Sequence, residues 1–129
     1  MPMPYRKNME NWILAIHVVA ELIAGLILCI APYLFNSTGS DSQLETMRNI
    51  GNGAICVGLL GASLLSLAKS QRHAVFFGVI AQYHVGVVIL QLRVPLEGVP
   101  IWPALLFHGG LAIWFTQRTF GVDLTKRNA

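Results

Sequence analysis

At 129 residues the chain has room for one small domain and no second. Hydrophobic residues make up 54% and charged residues 12%, about half the charged share of an average soluble domain, so hydrocarbon rather than water is the expected solvent. The net charge of +3 comes from nine Lys and Arg scattered around apolar blocks, which excludes the clustered basic face of a nucleic-acid binder.

The first apolar segment runs from Trp12 to Phe35 and follows Arg6 and Lys7. It outlasts the roughly 7 to 15 apolar residues of a signal peptide and has no A-x-A site, so it reads as a retained helix. Inside it His17 and Glu21 stand four apart, neighbours on one helical face. Pro32 and the turn formers Asn36 to Ser42 close the segment, and residues 36–49 are expected to be a loop. Asn36 opens an N-S-T acceptor pattern so near the membrane edge that it is expected to stay unmodified.

The second segment, Ile50 to Leu67, is the shortest. Ala54, Gly58, Ala62 and Ser66 recur every four residues and predict a groove of small residues for another helix. Cys29 and Cys56 fall at similar depth, where a disulfide is geometrically possible and two thiols behaving as small apolar residues is the simpler reading. The G-N-G at Gly51 to Gly53 lacks the strand and lysine of a phosphate loop.

Lys69 and Arg72 lead into the third segment, Ala74 to Leu92, where Ala74, Gly78, Gln82 and Gly86 repeat the small-residue spacing. His84 and Gln91 share a face, and Gln82 points about 160° away from His84. The fourth segment, Ile101 to Thr119, has Pro103 placed to sit in a first helical turn, and His108 with Ala104 and Ala112 on its own face. Lys126 and Arg127 follow.

Each segment approaches the roughly 20 residues needed to cross about 30 Å of hydrocarbon. The expected fold is therefore all-α, a polytopic transmembrane four-helix bundle forming one domain. The basic residues cluster at both ends and between segments two and three, which puts both termini and the central loop in the cytoplasm. Tyr5, Trp12, Trp114 and Phe120 then belong to one interface, and Tyr33, Phe35 and Trp102 to the other.

Counted from the cytoplasmic ends at about 1.5 Å per residue, His17 lies roughly 8 Å deep, Gln82 about 12, Glu21 about 14, His84 about 15 and His108 about 16 Å. Ionisable groups at that depth face an interior or a cavity and find partners. Glu21, His84 and His108 are the candidate catalytic residues. His17, Gln82, Gln91 and Trp102 are the candidate ligand contacts, with Gln82 equally suited to an interhelical hydrogen bond. The first reading is acid/base work on a lipophilic molecule drawn from the membrane, such as isomerisation, cyclisation or epoxide opening. The second is a non-catalytic accessory subunit of a membrane complex, or a homodimer, whose polar groups fix helix register. The third is haem or metal binding, since imidazoles and a carboxylate are competent ligands. The four histidines show no paired intrahelical motif like that of di-iron bundles, and no C-x-x-C occurs, so no metal or cofactor is called for by motif.

The stretch APYLF, Ala31 to Phe35, followed by a short polar loop and RNIGNGAICVGLL, Arg48 to Leu60, resembles the small DoxX-like four-helix membrane proteins. The resemblance implies a first helix ending in Pro, an Arg before a Gly-containing second helix and two further spans. It implies no catalytic residue.

Overall fold

A computed structural model describes residues 6–93 and 101–121 of the chain, the side chains from Met9 onward. The connection Val94 to Pro100, with Tyr5, Lys126 and Arg127, lies outside the described residues. Four α-helices follow one another among the described residues: α1 (Arg6–Ile30), α2 (Asp41–Ser66), α3 (Ala74–Arg93) and α4 (Ile101–Phe120). There is no strand among the described residues. Among the described residues three stretches are long and apolar enough to cross a membrane, Met9–Ile30, Asp41–Ser66 and Ala74–Arg93.

The helix ends follow from single residues. Pro32 has no N–H to donate and disfavours helical backbone at the residue before it, so α1 stops at Ile30, and Pro32–Leu34 tighten into a 3-10 turn. The expected loop over residues 36–49 is corrected here, because α2 begins at Asp41. The cause is a capping box: the Ser40 hydroxyl accepts from the Gln43 N–H at 3.4 Å, and the Ser40 N–H donates to Gln43 Oε1 at 2.8 Å. Both bonds satisfy donors that a helix start otherwise leaves open, and Asp41 in the first turn suits the positive end of the helix dipole. The segment read as shortest is thus the longest helix, at 26 residues. Pro103 does sit in the first turn of α4.

The helices pack most closely in two consecutive pairs, α1 with α2 and α3 with α4. Glycine makes the first pairing possible. A Cβ on Gly25 would lie 2.8 Å from the Gly51 carbonyl oxygen, and one on Gly51 would lie 2.8 Å from that of Gly25. Further along, Gly58 faces Leu22 and Gly61 faces His17 and Val18. The buried seam of α2 is therefore Gly51, Ala54, Gly58 and Gly61, and the expected stripe is shifted: Ala62 is half-buried and Ser66 is exposed. On α3 only Gly78 of the expected stripe packs, against Thr119 of α4; Ala74, Gln82 and Gly86 lie exposed. Both cysteines are free, and the Cys29 thiol faces Asn52 Oδ1 at 3.3 Å.

The two pairs meet over Leu14, Val57, Leu64, Phe77, Ile80, Ala81, Leu111 and Phe115. Outward, α1 exposes Trp12, Ile16, Val19, Ile23, Leu26 and Ile30, a continuous stripe at helical spacing that suits acyl chains and not water. At the end nearer the α2–α3 turn, Arg72 Nη1 donates to Glu10 Oε1 and Asn11 Oδ1, both at 2.8 Å, while Arg118 Nη2 lies 3.5 Å from Glu10 Oε2. These ion pairs tie α1, the turn and α4 together.

A histidine and glutamate centre between the helix pairs

His17 and Glu21 project from α1, His84 from α3 and His108 from α4, and all four converge. His17, Glu21 and His84 are buried to 2% exposure or less, and the His108 side chain is 16% exposed. His17 fits because Gly61 opposite it carries no side chain: a Cβ there would lie 2.9 Å from His17 Cδ2. Phe115 of α4 forms the floor, stacked on the His84 ring at 5.8 Å between centroids and edge-on to His17 at 5.0 Å.

The three imidazoles form one hydrogen-bonded row. His17 Nε2 lies 3.2 Å from the Val57 carbonyl, His17 Nδ1 lies 3.3 Å from His84 Nε2, and His84 Nδ1 lies 2.9 Å from His108 Nδ1. A carbonyl only accepts, so for neutral rings the proton positions follow in sequence. His17 carries its proton on Nε2 and accepts at Nδ1 from His84 Nε2–H. His84 then accepts at Nδ1 from His108 Nδ1–H.

Glu21 stands beside this row without joining it. Its Oε1 is 3.8 Å from His84 Nδ1 and 3.7 Å from His108 Nδ1, both too long for a hydrogen bond. The Tyr83 hydroxyl donates to the Ile50 carbonyl at 3.4 Å. Glu21 Oε1 itself is buried with no hydrogen-bond partner. Once the row is formed, neither facing imidazole nitrogen has a proton left to give it. A buried polar atom in that position loses water without replacement, at about 1–3 kcal/mol, more for a charged group.

The remaining sequence candidates are not brought to this centre. Gln82 is exposed on another side of α3, as its angular offset from His84 requires. Gln91 is two turns further along, half-buried, with its Oε1 unpartnered. Trp102 is exposed in the first turn of α4. Tyr83, Phe115 and Gly61 were not singled out in the sequence. Tyr83 had a usable signal, since a buried phenol needs a partner for its hydroxyl. Comparison with family models, curated proteins and solved structures finds no match to the chain.

Proposed function

We propose that the chain is a multi-pass integral membrane protein with four spans, both termini cytoplasmic, whose core centre acts on the polar group of a lipophilic small molecule. Glu21 and the row His17, His84, His108 hold that group and exchange a proton with it, as general acid/base chemistry requires. One observation carries the reading: Glu21 Oε1 is buried, has no partner and faces two imidazole nitrogens. A purely structural lock favours groups that satisfy one another, and here one carboxylate oxygen is left out. A haem fits poorly, since rings with nitrogens 2.9 and 3.3 Å apart leave no space for a porphyrin plane between them.

The accessory-subunit reading has one observation of its own, the open side of α3 at Ala74, Gln82 and Gly86, where a Cβ on Gly86 would touch nothing within 4 Å. The DoxX-like resemblance bears on the fold alone. The test is to purify the protein from membranes in mild detergent, extract what co-purifies and repeat this with Glu21→Gln. Loss of a specific lipophilic molecule from a variant that keeps its helical content supports the site. An unchanged extract refutes it.

A further inference from the structure

We propose that the group completing this centre is a divalent first-row transition-metal ion, zinc or iron(II), held by Glu21 Oε1, His84 Nδ1 and His108 Nδ1. The inference rests on the reading of the core centre as a working site and names what occupies it.

The spacing of three donor atoms around the unpartnered Glu21 Oε1 points to an ion. The three atoms form a triangle with edges of 2.9, 3.7 and 3.8 Å. A point equidistant from its corners lies about 2.0 Å from each, which matches zinc–nitrogen and zinc–carboxylate bonds of about 2.0–2.2 Å. A water or substrate oxygen held by hydrogen bonds needs about 2.7–3.0 Å, so it cannot lie in this plane and must stand off to one side. Two imidazoles with one carboxylate are also a donor set that leaves metal positions open for substrate or water.

The proton positions agree. With an ion at His84 Nδ1, the His84 proton must sit on Nε2, where it donates to His17 Nδ1, and His17 Nε2–H donates to the Val57 carbonyl. Only the His108 Nδ1 proton is displaced. His17 therefore serves as the outer partner that fixes the ring and tautomer of a ligating histidine. His17, Glu21 and His84 also bring ligand atoms within 4.8 Å of one another, but the Nδ1 of His17 is already taken as the acceptor for His84. Ligands come from α1 on one side and from α3 and α4 on the other, so the ion joins the two helix pairs. An ion of this kind would supply a Lewis acid and an acidified water, and the proton exchange of the centre would then fall to that water, with Glu21, His84 and His108 holding the ion.

The full chain in detergent, stripped with a chelator and titrated with Co²⁺ and Zn²⁺, tests this. The expected result is one retained equivalent per chain by elemental analysis, a visible Co²⁺ spectrum and a raised thermal midpoint. Glu21→Gln and His108→Ala should lose the ion while keeping helical content. His17→Ala should weaken affinity about 10- to 100-fold at unchanged stoichiometry, and His17→Gln, which can still accept from His84, should restore much of it. Should His108→Ala fail to fold, Glu21→Gln, nearly the same shape, carries the test. Wild-type protein that is folded and retains no ion overturns the proposal, as does unchanged affinity in Glu21→Gln. A specific lipophilic molecule bound by folded protein that takes up no Co²⁺ or Zn²⁺ would remove the ion and leave the proposed function standing. A bound ion with no such molecule would do the reverse.

Discussion

Gly25 and Gly51 touch backbone to backbone: each carbonyl oxygen lies 2.8 Å from where the other residue's Cβ would be. The α1–α2 pair is built on this contact, so Gly51→Ala must separate the helices or distort them. The expected loss is about 1–3 kcal/mol, the range for overpacking, read as a lower unfolding midpoint in detergent. Gly86→Ala is the control. Its site is open, and alanine is the better helix former by about 1 kcal/mol, so the midpoint should hold or rise.

Gly61 allows a second test that leaves every polar side chain of the centre in place. A methyl group there would lie 2.9 Å from His17 Cδ2 and from Val18 Cγ2, pushing the ring off the Val57 carbonyl. Gly61→Ala should weaken Co²⁺ binding and change its spectrum, with helical content retained in circular dichroism. A spectrum identical to wild type would show that the His17 ring is not fixed by that close approach.

The capping box at Ser40 governs the first turns of α2. Ser40→Ala removes the acceptor for the Gln43 N–H and should destabilise the helix start by about 1 kcal/mol. Amide exchange should quicken over the first turn, with little change around the buried Ala54 and Val57.

Glu10 makes two ion pairs of different worth. With Arg72 it is largely enclosed, at side-chain exposures of 13% and 4%, whereas Arg118 is 42% exposed. Arg72→Ala leaves Glu10 with Arg118 alone and removes the bond to Asn11, and should cost about 1–3 kcal/mol, short of the range for a fully uncompensated buried charge. Arg118→Ala should cost under about 1 kcal/mol from the ion pair, plus whatever its contact over Trp114 contributes. Thermal unfolding of the two variants side by side measures the difference.

Much of this was legible from the order of residues, for identifiable reasons. Hydropathy and helix stops such as Pro32 marked four helices, and similar depth singled out Glu21, His84 and His108, with the shallower His17 added because it shares a helical face with Glu21, since ionisable side chains in an apolar span need partners. Hydropathy could not find the start of α2. Asp41 to Asn49 is polar because it is helix beyond the apolar stretch, and Ser40 belongs to the vocabulary of turns and of caps alike. Spacing every four residues also misplaced the seam, because α1 contacts α2 along Gly51, Gly58 and Gly61 at steps of seven and three. The triangle of Glu21, His84 and His108 had no sequence motif, since its corners come from three helices and no pair within one helix could announce it.

The division into two helix pairs sets an order of events during synthesis. The glycine contact between α1 and α2 needs nothing encoded later, so the first half of the chain can close as soon as it leaves the ribosome. Until His84 and His108 arrive, however, Glu21 has no imidazole from α3 or α4 beside it. The newborn first half therefore carries a built-in incentive to capture the second, and a chain truncated after residue 73 is the form that quality control should recognise and degrade.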